Sequence, residues 1–457
     1  MKWLIFLIIF SLLFSCGNAD KEGQPPRPFP GKIWVSEDAV EMLAGMHDMS
    51  FVSAIVEDYT KLDFQLKGAP GFVRLDSLGP GDRMLSFDPG KGQTGSYSFV
   101  VVLTYDGYPY KRALTVSVRK MPERARRVRS EKALREALDV AKEGEVILLE
   151  DGDYGNVTLS GHFGRQLRIA TAAHAHPEVK GLRLEHAANI WVSGLEVIGK
   201  NEDTTQREIL VYVDSTSEDI RLTGCYISSG TDAERWTGPQ WKQAARHGVV
   251  VEGDHCNMVN NFIQYTYHAI ETKGDSNQCA HNTVDRFGGD ALRNTGNFNH
   301  FEGNLLKNAT VDDYAAPDGN HDDLYQSWTF GPPIVGTVIR GNLAISCSER
   351  GLANKSTIVQ GIACFDGFAE GWTIEGNEVI LDHPHGITLL GARNCKILNN
   401  IVKRNPLKIK SFESLPWIMV AKHKDGRPSS GNLVQGNVAA VLRIDTLAAE
   451  VVGNSKE

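Results

Sequence analysis

Three near-copies of one pattern follow one another along the chain: HGVVVEGDHCNMVNNFI (residues 247–263), HAIETKGDSNQCAHNTV (268–284) and DALRNTGNFNHFEGNLL (290–306). Each copy opens with His or Asp and a small residue, continues as a short alternating run, and then reaches a turn. An Asn follows just before two apolar or β-branched residues. The copies recur every 21 or 22 residues, which is the period of stacked coils in a solenoid.

The asparagine of each copy belongs to a longer series of asparagines, and the spacing of that series gives the length of each coil. Gaps of about 22 residues correspond to single coils, and longer gaps to coils with insertions, predicted as loops at 309–322, 346–359 and 405–430. Stacked Asn side chains bond one another and the backbone inside a turn. The sequence therefore predicts an all-β chain whose main unit is a right-handed parallel β-helix. The series is Asn261, Asn282, Asn304, Asn342, Asn377, Asn400 and Asn437.

Residues 31–120 have the pattern of a small β-sandwich, with short alternating runs separated by Gly, Pro and Asp turns. This stretch resembles bacterial Ig-like or cadherin-like modules. Residues 121–457 are predicted as the β-helix, preceded by a capping helix that starts at Ser130 and stops at Gly144. Such a helix covers the otherwise open end of a solenoid.

The first 16 residues combine Lys2 with an apolar run too short to span a bilayer, as in a secretion signal. The sequence Leu-Phe-Ser-Cys-Gly at 13–17 resembles a bacterial lipobox, which makes Cys16 the expected lipid-attachment residue. A plain signal peptide is the alternative. Residues 17–30 are predicted to be a linker. We therefore expect an exported bacterial lipoprotein, in the periplasm, at the outer membrane or on the cell surface, with membrane contact only through the lipid.

The chain has 457 residues and a formal net charge of −8 at pH 7. This balance excludes bulk nucleic-acid binding, which needs a basic face, but a local basic cleft for a polyanion is compatible with it. No CxxC pair exists, and we expect a monomer. Six cysteines are predicted as small buried residues rather than disulfides or metal ligands, with Cys256, Cys279 and Cys395 at matching repeat positions.

Side chains of a strand alternate between the two faces of a sheet. With Ile270 and Thr272 pointing inward, Glu271 and Lys273 point outward, and Arg293 does so one coil later. The register predicts an outward row of Glu271, Arg293 and Gln326, with Lys273 and Trp328 in the next row. At the preceding corner it predicts a stack of His247, His268, Asp290, Asp323, Gln360 and His385. The simpler alternative is an exposed charge ladder of little energetic value.

The segment AIETKGDSNQCAHNTV followed by DALRNTGN resembles the Lys and Arg coils of polysaccharide lyase family six, which contains alginate lyases and chondroitinase B. LREALDVAKEGEVILLEDGDYGNVTL, residues 134–159, is similar to the opening of that family's β-helix. The resemblance implies β-elimination on a uronate polymer such as alginate or a glycosaminoglycan. Lys273 would be the base, and Arg293 the acid or charge stabiliser. The family often carries acidic calcium ligands just before the Lys, where this chain has His268, so calcium dependence stays open.

An acidic segment supplies the alternatives. Asp312, Asp313, Tyr314, Asp318, His321, Asp322 and Asp323 precede Gln326. Carboxylate pairs on a β-helix face are what a glycoside hydrolase needs, with Asp290, Asp323 and Asp366 as candidates. A Tyr314, His321 and Asp323 set is compatible with a uronate epimerase. The chain is also compatible with a non-catalytic surface protein that binds glycan, with His247, His268, Glu271, Asp290, His321, Asp323, Gln326 and Trp328 as binding residues.

Overall fold

The computed structural model describes residues 28–199, 208–231, 233–310, 322–350, 359–407, 413–445 and 447–456. Strands account for 56% and helices for 5%, so the chain is nearly all-β as predicted. The expected signal peptide and Cys16 lie outside these ranges, as do most of the acidic segment and His321. None of the helices within them is long and apolar enough to cross a membrane.

A parallel arrangement of 31 strands dominates the fold. Each strand pairs with its counterpart in the neighbouring coils, and the strand positions repeat from coil to coil. This is the predicted parallel β-helix. Three sheets result, called I, II and III here, and the long strands Gly152–Thr171 and Pro177–Ser193 bend through all three.

The shorter strands divide among the three sheets as follows. Sheet I contains Ala125–Val128, Val146–Leu149, Arg221–Thr223, Asn257–Val259, Gln278–Ala280, His300–Glu302, Val338–Arg340, Thr373–Glu375, Lys396–Leu398, Asn432–Gln435 and Ala449–Val452. Sheet II contains Glu196–Ile198, Tyr226–Ser228, Phe262–Thr266, Thr283–Phe287, Leu305–Lys307, Leu343–Ile345, Glu378–Leu381, Ile401–Arg404 and Val438–Ala439. Sheet III contains Ile209–Val213, His247–Val251, Ile270–Thr272, Leu292–Asn294, Asp323–Trp328, Gln360–Asp366, His385–Leu390, Trp417–Ala421 and Val441–Ile444. A small fourth sheet contains Ile334–Val335, Ala369–Glu370 and Ala392–Arg393.

The predicted asparagine series forms a continuous ladder between sheets I and II. Each Asn Nδ2 donates to the Oδ1 of the Asn in the next coil at 2.8–3.1 Å, from Asn261 to Asn454. The same Oδ1 also accepts the backbone N–H of the preceding Asn, for example Asn282 N to Asn304 at 3.0 Å. The ladder thereby satisfies polar groups that the turn buries. The prediction that these asparagines stack from coil to coil is confirmed.

The interior of the β-helix is one continuous apolar core that includes Ile270 and Leu292, as the register predicts. The six described cysteines are buried and free. Their predicted alignment was wrong in one place, because Cys279 pairs in register with Met258 rather than Cys256. Asn277 fills the equivalent place, and its Oδ1 accepts a hydrogen bond from Cys256 N at 2.7 Å.

Residues before 120 form two four-stranded sheets that share one core. The first contains Lys32–Val35, Asp48–Ile55, Asp82–Phe87 and Val73–Ser77, and the second Ala39–Leu43, Tyr108–Arg119, Gly95–Tyr105 and Leu62–Lys67. We call this part the N-terminal module. The alternating runs read from sequence correspond to five of these strands. The Ig-like or cadherin-like assignment stays a prediction.

The N-terminal module packs directly on the β-helix. Lys307 Nζ of sheet II lies 2.7 Å from Asp82 Oδ2 of the module, and both side chains are fully buried. The rings of Phe51 and Phe262 pack with centroids 5.3 Å apart. Val146, from sheet I, belongs to the module's core cluster. The two parts therefore share buried contacts.

Four helices are described: Glu131–Asp139 and Gly238–Ala244 are α-helices, and Tyr59–Lys61 and Ala233–Arg235 are 3-10 turns. Ser130 caps the first α-helix, as predicted, by accepting from Ala133 N at 3.2 Å. That helix ends at Asp139 rather than at Gly144, since Val140 leaves the helical conformation.

The stretch 405–430 was predicted as loop but contains the sheet III strand Trp417–Ala421. The long gap between Asn400 and Asn437 therefore contains a strand of sheet III with a connecting segment on each side.

Candidate active site

The predicted outward row exists on sheet III. Glu271 pairs in register with Arg293, and Arg293 pairs with Gln326. Val250 precedes Glu271 in the same row. Adjacent coils lie ~4.8 Å apart, so three side chains of different chemistry stand in one line across neighbouring strands.

Lys273 lies just beyond the strand that carries Glu271. Its Nζ donates to Glu252 Oε1 at 2.9 Å, and the Lys side chain is 42% exposed. Glu252 also accepts from the Tyr212 hydroxyl at 2.8 Å. The hydrogen bond from Lys273 holds the pKa of Glu252 below its usual range, while burial and the Glu252 carboxylate raise the pKa of Tyr212 to about 12. The amine is thus held at the surface by one carboxylate.

Arg293 is enclosed on several sides. Its Nε lies 3.0 Å from Asp290 Oδ2, and Nη1 lies 3.7 Å from Glu271 Oε2. The guanidinium also covers the ring of Trp328 at 4.4 Å from the centroid. Arg293 keeps 17% of its side chain exposed, so these contacts hold a cation near solvent, one coil after the strand that precedes Lys273.

The predicted corner stack is formed from His247 to Gln360. The rings of His247 and His268 are 5.1 Å apart, and His268 Nδ1 accepts from Asp290 N at 2.8 Å. Asp290 Oδ1 then accepts from Asp323 N at 2.8 Å. Gln360 pairs in register with Asp323. The corner thereby joins the two histidines to two carboxyl groups that are fully buried.

Burial dominates the ionisation of the two corner acids. It raises the pKa of Asp290 to about 7, against the opposing effect of Arg293. It raises the pKa of Asp323 well above its usual range, and the neighbouring carboxyls of Asp290 and Asp322 raise it further. Two adjacent buried carboxyls disfavour double ionisation.

Trp328 stands two residues after Gln326 on the same strand, and its ring lies 4.4 Å from the Arg293 guanidinium. An irregularity after Ser327 pairs Trp328 with Asp366 of the following coil. His321 and Tyr314 lie outside the described residues, so their predicted binding roles stay predictions.

The residues before Lys273 do not have the donor set of a calcium site. Calcium takes oxygen ligands, whereas His268 occupies the position of the expected acid and its Nδ1 accepts a backbone N–H. Among the described residues, no group of three His, Cys, Asp or Glu side chains could hold a metal ion.

The sequence did not indicate that Glu252 bonds to Lys273. Glu252 follows Val251, which pairs with Thr272, so it stands beside Lys273 one coil earlier. The opposite charge 21 residues before Lys273 was the available signal. Tyr212 and Tyr267 were also missed: Tyr212 pairs in register with Val250, and the Tyr267 ring packs 4.2 Å from His268.

Comparison with known proteins finds likeness only among solved structures. No family model and no curated protein matches the sequence. A polysaccharide lyase family six alginate lyase, AlyGC, aligns with a TM-score of 0.39 and 14% identity over 72% of this chain and 53% of that chain. The family six polysaccharide lyase Pedsa3628 from Pseudopedobacter saltans aligns with a TM-score of 0.36 and 12% identity over 73% of this chain and 92% of that one. The chain thus spans about half the length of the alginate lyase.

Proposed function

We propose that the chain is a polysaccharide lyase that cleaves a uronate-containing polymer, of the alginate or glycosaminoglycan type, by β-elimination on sheet III. The observation that carries the proposal is the pair of cations Lys273 and Arg293 on adjacent coils of one open face. Each is held by carboxylates. Stacking of coils requires neither cation.

Lys273 is assigned the role of base. It must be neutral to remove the C5 proton of the uronate, and the hydrogen bond to Glu252 at 2.9 Å gives its proton a path. In the free protein the lowered pKa of Glu252 keeps that proton on the amine. A polymer lying over the pair would exclude water, which favours the neutral pair over the ion pair. Substrate binding would then generate the base.

Arg293 is assigned the role of charge stabiliser. Removing the C5 proton places negative charge on the uronate carboxylate, and a fixed donor oriented toward it lowers the barrier. The contacts with Asp290 and Trp328 fix the guanidinium in one orientation. Departure of the 4-linked sugar needs a proton, which the Lys273 ammonium formed in the first step or the Tyr212 hydroxyl, bonded to Glu252, can supply.

The hydrolase alternative fits the geometry less well. A glycoside hydrolase flanks its bond with two accessible carboxyls about 5–9.5 Å apart. Asp290 and Asp323 are instead fully buried and joined through the Asp323 N–H. Asp366, the third acid of that alternative, pairs with Lys424 at 2.8 Å.

The test is incubation of the purified chain with a panel of uronate polymers: polymannuronate, polyguluronate, dermatan, chondroitin and hyaluronan. A lyase yields products with an unsaturated, ultraviolet-absorbing end. A hydrolase yields reducing ends without that absorbance, and an epimerase changes composition without shortening the chains. Any outcome other than unsaturated ends contradicts the proposal.

A further inference from the structure

The carboxyl of Asp290 stands between the exposed site and the buried corner. Its Oδ2 lies 3.0 Å from Arg293 Nε and 3.3 Å from His268 Nδ1. Its Oδ1 accepts the backbone N–H of Asp323 at 2.8 Å. Asp290 itself is fully buried, so it cannot meet a polymer on the surface and acts only through its neighbours.

Asp323 has a different environment, although it is equally buried. Its carboxyl forms no salt bridge with another described residue, and the side-chain hydrogen bond that acts on it comes from the neutral amide of Gln326. An ionised carboxylate in that position would have no cation in contact with it, which makes its burial unfavourable. A protonated carboxylic acid is neutral and avoids that cost.

The charged groups around Asp290 and Asp323 can compensate one negative charge but not two. The charged and titratable side chains that act on the two acids are Arg293, Glu271, His268 and Asp322. Arg293 is the cation among them that is always charged, and Glu271 shares it. Burial and the neighbouring carboxyls raise the pKa of Asp323, whereas Asp290 is the acid in direct contact with the Arg293 guanidinium.

We propose that Asp290 and Asp323 form a carboxyl pair that holds one proton, on Asp323, and that the charge left on Asp290 makes it the positioning residue of Arg293. The proton on Asp323 permits Asp290 to ionise at full burial. Asp290 then fixes the guanidinium through Nε and leaves the Nη groups directed elsewhere. This assignment rests on the proposed function for the role of Arg293, but the proton on Asp323 does not.

The first experiment compares two isosteric variants. Asp323→Asn mimics the neutral acid, so its effect on kcat is expected to be much smaller than that of Asp290→Asn. Asp290→Asn removes the charge that orients Arg293 and is expected to lower kcat about 10²-fold with a smaller change in KM, the size seen when a catalytic group is misplaced by ~1 Å. Glu302→Gln is the matched control, because Glu302 pairs with Arg340 at 3.0 Å on sheet I.

The second experiment needs no substrate. Above neutral pH, the infrared difference spectrum of wild type minus Asp323→Asn should contain the carbonyl stretch of a protonated carboxylic acid. Absence of that band overturns the shared proton. Equal losses of kcat in the two variants, or a larger loss in Asp323→Asn, overturn the positioning role. If no polymer is cleaved, the proposed function fails, and the infrared band still decides whether Asp323 holds the proton.

Discussion

Glu252 is the residue on which the chemistry of Lys273 depends most directly. In the structure the Lys273 amine lies 2.9 Å from Glu252 Oε1. In Glu252→Gln the amide oxygen can still accept a hydrogen bond from the amine, but the amide cannot take up a proton. We expect kcat to fall about 10²-fold, the lower range for general acid–base catalysis, with little change in KM. Steady-state kinetics on the cleaved polymer would measure both values.

Tyr212→Phe is the control for that variant. It removes the second hydrogen bond to Glu252 and leaves the carboxylate in place. A loss in Tyr212→Phe as large as in Glu252→Gln would indicate that Tyr212 is itself the proton donor. Unchanged kcat in Glu252→Gln would contradict the proton path.

The sequence was sufficient to predict the row of Glu271, Arg293 and Gln326, because strand alternation and the spacing of the asparagine series together define that row. It was insufficient for the contact between Asp290 and Arg293, which depends on how a long side chain folds back over a corner. It also could not show that the Trp328 ring would lie against the Arg293 guanidinium. The repeat pattern does not specify how far a side chain reaches or which side chains it will contact.

Among the repeated elements, the asparagine ladder can be tested at one rung. Asn304 is fully buried, and its Nδ2 donates to Asn342 Oδ1 and to Cys279 O, each at 2.9 Å. Asn304→Ala leaves buried polar groups without partners, so we expect a loss of about 2–3 kcal/mol in the free energy of unfolding. Denaturant unfolding followed by circular dichroism would measure it.

The last rung of the ladder provides the control. Asn454 is only partly buried and bonds to Asn437 at the end of the series. Asn454→Ala should cost less than half as much as Asn304→Ala, because water can replace the lost partner. Equal costs for the two variants would show that the ladder does not act through burial.

At the scale of the whole molecule, the N-terminal module and the β-helix are joined by an ion pair with no access to water. Lys307 and Asp82 are both fully buried. Lys307→Met would leave Asp82 as a buried, poorly compensated charge, and we expect a loss of about 3–5 kcal/mol in unfolding free energy. Denaturant titration of the full chain would measure this loss.

A second contact between the same two parts is the matched control. Lys32 of the module pairs with Glu378 of sheet II at 2.7 Å, with the Lys side chain 36% exposed. Lys32→Met should cost no more than about 1 kcal/mol, as surface ion pairs do. Equal effects of the two variants would contradict a special role for the buried pair. No sequence pattern indicated the contact between Lys307 and Asp82, since these residues are 225 positions apart.

The proposed β-elimination depends on Lys273 and Arg293, and two lysine variants test that dependence. Lys273→Met and Lys403→Met each remove a lysine from an ion pair with Glu, at 2.9 Å to Glu252 on the candidate site and at 2.8 Å to Glu378 on sheet II. The measurement is the initial rate of ultraviolet absorbance on the polymer that wild type cleaves. We predict a fall of at least about 10²-fold for Lys273→Met and a rate near wild type for Lys403→Met. Full activity in Lys273→Met would contradict the account.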